Sequence, residues 1–95
     1  MNFLEFFNRC AELAVVREDI FTRATSMDTP ITENTTGLDS LDGVLTYQFI
    51  SEAFDLDDQA TMNMPTTSIQ DLKDYCDKHK NRDFNTVEEA MEVIA

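Results

Sequence analysis

The sequence has few glycine and proline residues and few basic side chains for its length. Two glycines and two prolines in 95 residues are too few for the many tight turns of a β-rich domain. Seven lysine and arginine residues stand against 19 acidic residues, which gives a formal net charge of −12. Because nucleic acids and anionic membrane surfaces are bound through Lys and Arg, this balance argues against both as partners. It favours partner proteins with basic patches.

Long apolar runs and closely spaced cysteines are also missing. No apolar stretch approaches the roughly 18 residues of a membrane span, and no secretory signal pattern is visible at the N-terminus. The two cysteines, Cys10 and Cys76, lie far apart and fit no metal-ligand spacing. Since both lie on apolar helical stripes, we expect buried free thiols in a cytoplasmic protein.

What the sequence does contain is helical periodicity. With 42% hydrophobic residues, the chain can bury one small core, so we predict a single all-α domain. The first helix is predicted over residues 2–17, with Asn8 on its polar side. Residues 18–21 extend it or form a short turn. Residues 22–37 are rich in Thr, Ser and Asn and are predicted to form a long loop, pinned by Met27 and Ile31.

Capping residues mark the later helices. Asp39 is a candidate N-cap for a helix over residues 40–54. A short helical turn is predicted over 59–64, before Pro65. Capping boxes at residues 67–70 and 86–89 predict a helix to about residue 80, with Arg82 among the basic residues at its end, and a short C-terminal helix over 86–94.

The helix over 40–54 is apolar on nearly two faces. At 100° per residue, one stripe forms the natural core face, and a second apolar set falls largely outside it. One small core cannot easily bury both, so either the loop over 22–37 covers the second face or this face is a docking surface beside Ser40. The core stripe is Thr46, Tyr47, Ile50, Ala53 and Phe54, and the second set is Leu41, Val44, Leu45 and Phe49.

Ser40 is the residue with the clearest chemical interpretation. It lies at the predicted first turn of a helix, where free backbone N–H groups and the helix dipole favour an attached phosphate. A nucleophilic serine needs a base, and His79, the only histidine, lacks the sequence context of one. We therefore expect no catalytic residues in this chain, and a serine that another enzyme modifies.

The acidic run Asp55, Asp57 and Asp58 does not predict a calcium site. An EF-hand loop needs glycine at its sixth position and glutamate at its twelfth, and Ala60 and Thr66 stand there instead. We therefore interpret the run as a solvated acidic loop and expect no metal site.

The string Gly37-Leu38-Asp39-Ser40-Leu41 resembles the Gly-x-Asp-Ser-Leu signature of acyl carrier proteins. The resemblance covers roughly residues 1–79 and is strongest over 37–55 and 66–79. It implies a small four-helix bundle of acyl-carrier type, with a long loop between helices 1 and 2 and an extra short C-terminal helix. The carrier domain would span 1–82, and the C-terminal extension would span 83–95.

The resemblance also implies a function. Ser40 would carry covalent 4′-phosphopantetheine, whose thiol holds an acyl group as a thioester, and Asp39 would cap the helix beside it. The chain would be a monomer, not an enzyme. Its partners would be a phosphopantetheinyl transferase, an acyl-loading ligase or synthase, and acyl-transfer enzymes with basic docking patches. The docking residues would be Leu41, Asp42, Val44, Leu45, Gln48 and Glu52.

Some positions depart from the family pattern. Leu45 and Ser51 stand where acids are common, and Thr36 and Asp58 stand where apolar residues are usual. These departures indicate a specialised carrier rather than one of bulk fatty-acid synthesis. Two alternatives stay open. One is an aminoacyl or peptidyl carrier, although such carriers commonly have His where this chain has Asp39; the other is an unmodified acidic interaction module with the same fold.

Overall fold

The structure is a computed structural model that describes residues 1–94. Within that range the chain is all-helical, with six α-helices, one 3-10 turn and no β-strand. The predicted all-α class is therefore confirmed. The helices are α1 (Phe3–Ala14), α2 (Glu33–Thr36), α3 (Ser40–Phe54), α4 (Asp58–Met62), α5 (Ile69–His79) and α6 (Val87–Ile94), and the 3-10 turn spans Glu18–Ile20.

Helix α1 is shorter than the predicted 2–17. It begins after Asn2, whose side-chain oxygen accepts the Glu5 N–H at 3.1 Å. It ends at Ala14 because Val15 has an extended backbone, with φ −79° and ψ 140°. No glycine or proline marks this end, so the prediction relied on apolar periodicity alone and made the helix too long.

Asn8 was assigned to the polar side of the first helix, and the structure buries it. Its amide nitrogen donates to the Ala24 carbonyl at 2.9 Å, and its amide oxygen accepts the Ala24 N–H at 2.8 Å. The neighbouring Arg23 forms ion pairs with Glu5 and Glu12 of α1. These contacts hold the start of the long loop against α1. Asn8 can be buried there because its side-chain amide nitrogen and oxygen are both hydrogen-bonded.

The long loop follows a defined path. Ile31 is buried and Met27 packs against the core, as predicted. The Ile31 N–H donates to the Thr66 carbonyl at 3.0 Å, and the Gln70 N–H donates to the Met27 carbonyl at 2.8 Å. The loop is therefore bonded to the segment that enters α5, and the prediction missed only the single helical turn α2 near its end.

Helix α3 has the predicted bounds and the predicted cap, and it is central to the core. It packs chiefly against α1 and also contacts α6. Phe54 near its end lies among other aromatic rings, with ring centroids 5.6 Å from Phe6, 6.3 Å from Phe3 and 6.0 Å from Phe84. Four residues of its predicted core stripe are buried and the fifth, Tyr47, is half-buried.

The starts of α4 and α5 each differ by one residue from the prediction. Helix α4 starts one residue before the predicted 59–64 and ends at Met62, with Asp57 as its N-cap. The capping box predicted at 67–70 is wrong by one residue, because Ser68 is the N-cap of α5 and accepts the Asp71 N–H at 3.0 Å. Thr67 bonds to the Asp71 carboxylate instead.

The end of helix α3 is capped by the segment that follows α5. Arg82 donates from Nε to the Ala53 carbonyl at 2.9 Å and from Nη2 to the Glu52 carbonyl at 2.7 Å. The Asn81 N–H donates to the Phe54 carbonyl at 2.9 Å. Arg82 was predicted to suit the end of α5, and the structure places it at the end of α3, because that helix also leaves free carbonyls there.

Helix α6 packs on the rest of the molecule. Its predicted cap is confirmed, since the Thr86 hydroxyl accepts the Glu89 N–H at 3.2 Å. Val87 and Ala90 are buried, and the helix contacts α1 and α3. Among residues 1–94, no helix combines the length and the apolar character needed to cross a membrane.

Candidate functional site

Ser40 is exposed and occupies the first position of α3. Asp39 precedes it as the N-cap, and its Oδ1 accepts the Asp42 N–H at 2.8 Å. In the described part of the chain, no acceptor is paired with the backbone N–H of Ser40 or Leu41. The Ser40 hydroxyl therefore stands in solvent at the positive end of a helix of 15 residues.

The backbone before Ser40 is held tightly. Gly37 has φ +76°, a left-handed conformation that glycine adopts without strain. A Cβ at this position would lie 1.8 Å from the Ile20 carbonyl oxygen. The Thr22 N–H also donates to the Thr36 carbonyl at 2.9 Å. Only glycine lets the 3-10 turn pack this closely against the start of α3.

Thr36 is fully buried although it is polar. Its hydroxyl donates to the Thr32 carbonyl at 2.8 Å and accepts the Leu38 N–H at 3.2 Å. A buried hydroxyl with both functions paired carries little cost. This pairing explains why a threonine is tolerated where an apolar residue was expected.

An open groove with a volume of about 410 Å³ lies beside Ser40. One side is formed by the start of α3, and the other by the end of the loop and the residues before α5. Its floor and walls are mainly apolar, and the carboxylates of Glu33 and Asp39 lie at its edge. The apolar lining comes from Ile31, Leu38, Val44, Tyr47 and Met64.

Tyr47 ties the two sides of the groove together. Its hydroxyl donates to the Pro65 carbonyl at 2.7 Å. Burial raises the pKa of the Tyr47 phenol above its ordinary value of 10.0, with the nearby Cys76 adding to the rise. The phenol therefore stays protonated at neutral pH, so it acts as a wall and a hydrogen-bond donor rather than as a base.

The groove could not be found from sequence patterns. Ile31, Glu33 and Met64 were not candidate site residues, because nothing in a local pattern places residues 31–36 beside residues 64–66. The backbone bond from Ile31 to Thr66 brings these segments together. Tyr47 was assigned to the core stripe. In the structure it packs against the core and also lines the groove.

The predicted docking residues are not equally accessible. Leu41 is 67% exposed and Val44 is 55% exposed. Gln48 and Glu52 are exposed and Leu45 is half-buried. Asp42 is only 8% exposed, and its backbone N–H donates to the Asp39 cap. Asp42 is therefore the least accessible of the six predicted docking residues.

The two explanations offered for the second apolar face each hold in part. Ile31 and Thr36 of the loop line the same groove as Val44, so the loop flanks this face. Phe49 packs against the core. Leu41 and Val44 nevertheless stay largely exposed, and Met62 of α4, which lines a second depression with Val44, is 85% exposed. An apolar patch of Leu41, Val44 and Met62 therefore adjoins Ser40.

His79 lies in a different depression from Ser40. Its ring centroid is 4.4 Å from that of Tyr75, and it shares a shallow depression with Asp57 and Asn63. None of these residues is among those that line the groove beside Ser40. The structure does not bring the histidine and Ser40 together as a nucleophile and its base would require.

Two of the acidic residues after α3 have structural roles at helix ends. Asp57 accepts the Ala60 N–H at 2.8 Å as the cap of α4. Asp55 ends α3 in the left-handed conformation, with φ 54°. Among the described residues, no group of three or more His, Cys, Asp or Glu is placed to hold a metal ion.

The cysteines are buried and free, as predicted. Burial raises the pKa of both thiols from the ordinary value of 9.0 to about 12. Nearby charges act in both directions, since Arg9 lowers the pKa of Cys10 and Asp77 raises that of Cys76. Both side chains therefore behave as small apolar core groups at neutral pH.

Comparison with protein-family models, with curated proteins and with solved structures gives no match in any of the three. The chemistry of the residues around Ser40 is therefore the guide to function. The features that matter are an exposed hydroxyl at a helix start, an apolar groove next to it, and an acidic molecule around both.

Proposed function

We propose that this chain is a carrier protein that holds an acyl or related group as a thioester on 4′-phosphopantetheine attached to Ser40. The main support is the exposed Ser40 hydroxyl at the first position of α3, beside an apolar groove and away from the only histidine. A serine in this setting is accessible to a modifying enzyme, and the histidine that could serve as its base lies in a different depression.

The proposal extends to the finer fold. We assign α1, α3, α4 and α5 as the four helices of an acyl-carrier bundle, with α2 inside the long loop and α6 as an addition. The long loop, the glycine before the serine helix and the short α4 support this assignment. In this view residues 83–95 extend the carrier domain.

The residues at the helix start suit a phosphodiester. The Ser40 Oγ would be the attachment atom, and the N–H groups of Ser40 and Leu41, unpaired within residues 1–94, would be available to the phosphate oxygens. The α3 dipole favours negative charge at this end. When bound, the group would supply a flexible arm with a terminal thiol that forms reactive thioesters.

The surface around Ser40 suits transient partners. Leu41 and Val44 would contact the apolar rim of a partner's site, with Met62 beside them. Glu52 and the other acids of this strongly negative molecule would attract basic patches. Such steering raises association rates and makes binding sensitive to salt, which fits an arm that visits several enzymes.

Incubation with coenzyme A, magnesium and a broad-specificity phosphopantetheinyl transferase tests the proposal. We expect the intact protein to gain the mass of one phosphopantetheine group, because the hydroxyl is exposed and the helix start accommodates the phosphate. Ser40→Ala should abolish the gain.

Ser26→Ala is the matched control, since Ser26 is an exposed serine of the long loop away from α3. It should be modified like the unsubstituted protein. A chain that stays unmodified with several transferases, or a modification that survives Ser40→Ala, would overturn the proposal. The first result would favour the unmodified acidic interaction module.

A further inference from the structure

The groove beside Ser40 has an apolar floor and a negatively charged edge. Ile31, Leu38 and Met64 are each less than 9% exposed where they line it. The two charged residues among its lining, Glu33 and Asp39, are both acidic and both exposed. Asp39 is partly engaged by the Asp42 N–H, so Glu33 is the freer carboxylate of the pair.

The basic side chains of the molecule are placed elsewhere. None of the seven lysine and arginine residues in the chain lines the groove. Six of them are bound to acids or carbonyls in other regions: Arg9, Arg17, Arg23, Lys73, Lys80 and Arg82. A negative group entering the groove would therefore meet two carboxylates and no counter-ion.

From this arrangement we infer that the groove selects an acyl group with a short apolar chain and an amino group, and that it disfavours acyl groups with a second carboxylate. The inference deepens the proposed function and rests on it. The volume of about 410 Å³ is near the lower end of small-molecule sites. The apolar chain would lie along the floor, and the ammonium group would lie toward Glu33.

Three matched thioesters on the Ser40 arm test the inference. The hexanoyl, aminohexanoyl and adipoyl derivatives of coenzyme A differ only at the far end of the chain, so the thioester itself reacts similarly in all three. A broad-specificity transferase would move the acyl-phosphopantetheine of each derivative to the Ser40 hydroxyl with release of adenosine 3′,5′-bisphosphate. Neutral hydroxylamine would then cleave the thioester to the hydroxamate and the free thiol. Intact mass follows the cleavage, and each rate is divided by that of the same thioester on free coenzyme A.

We expect the aminohexanoyl group to be cleaved most slowly and the adipoyl group fastest, with about a fivefold difference between them at low salt. That factor is the upper range for an exposed ion pair. Raising the ionic strength should reduce it, since exposed charges are screened.

Two variants distinguish the effect of the groove carboxylate from the effect of the overall negative charge. Glu33→Gln should bring the aminohexanoyl and adipoyl rates closer together, leaving only the part of the difference that is due to Asp39. Glu52→Gln removes one charge from an exposed position of α3 outside the groove lining and should leave the difference unchanged. Equal relative rates in the unsubstituted protein, or a difference that Glu33→Gln does not reduce, would overturn the inference alone. Failure to load Ser40 would overturn the proposed function and the inference with it.

Discussion

Gly37 and Gly43 lie on either side of Ser40 and have opposite structural roles. Gly37 needs the left-handed conformation and touches the Ile20 carbonyl, whereas a Cβ on Gly43 would meet nothing within 4 Å. Gly43 is inside a helix, where glycine costs stability relative to alanine. The two glycines therefore allow a matched test of how the serine helix is positioned.

Gly37→Ala should lower the free energy of unfolding by about 2 kcal/mol or more. The left-handed backbone alone costs roughly 1–2 kcal/mol for an alanine, and the new methyl group would push the 3-10 turn away from α3. Urea denaturation of the purified protein measures the loss.

Gly43→Ala is the control for that substitution, and its effect on stability should have the opposite sign. It should raise the free energy of unfolding by about 0.5–1 kcal/mol, as expected for an open helix position. Equal effects of the two substitutions would show that the close approach at Gly37 does not affect the free energy of unfolding.

At the scale of elements, α3 is held at both ends by different parts of the chain. Its start is capped locally by Asp39. Its end is capped by Asn81 and Arg82, which follow α5. The guanidinium also complements the negative end of the helix dipole. The segment between α5 and α6 therefore helps to position the helix that carries Ser40.

Arg82→Ala should destabilise the protein by about 1 kcal/mol, because two carbonyls at the end of α3 lose a charged donor and are partly rehydrated. Urea denaturation gives the change. Lys78→Ala is the control, since Lys78 is an exposed basic residue at the end of α5, and it should change the stability by less. A loss of similar size in both variants would mean that positive charge, rather than the capping bonds, is what matters.

At the scale of the whole molecule, charge is the dominant property. The net charge of −12 creates a negative field that attracts basic partners and opposes compaction. The basic side chains are mostly engaged in pairs away from the start of α3. The surface near Ser40 therefore keeps its apolar and acidic character.

Alkaline conditions should unfold the protein through its buried thiols. Cys10 and Cys76 hold their protons up to about pH 12 when folded, whereas their ordinary pKa is 9.0. A pKa raised by folding stabilises the native state below the unfolded-state pKa, and that stability is lost as the pH rises toward the folded value.

We therefore expect the free energy of unfolding to fall from pH 9.0 upward, with a slope that approaches about 1.4 kcal/mol per pH unit for each thiol. Above the ordinary tyrosine pKa of 10.0, the buried Tyr47 phenol adds to the loss. Urea denaturation at a series of alkaline pH values measures the slope. Cys76→Ala should lower the stability at neutral pH and reduce the slope between pH 9.0 and 10.0 by about half. A slope that the substitution leaves unchanged would rule out the thiols as its origin.

Several features followed from the sequence because their signals are local. The bounds of α3, its Asp39 cap and the position of Ser40 depend on residues within about one helical turn of each other. The same holds for the Thr86 cap of α6. The all-helical class followed from apolar periodicity and from the small number of turn residues, and the burial of both cysteines followed from their places on those stripes.

Other features were decided only by the tertiary structure, because they join residues that are distant in the chain. The groove exists because residues 27–31 bond to residues 66–70, and Arg82 caps a helix that ends at Phe54. Asn8 and Asp42 are buried, although their types alone indicate exposure. The sequence by itself determined which segments become helices and where the serine lies, since hydrogen bonding within a turn needs no distant partner. Which faces meet, and therefore what surrounds that serine, depended on long-range packing that no local pattern encodes.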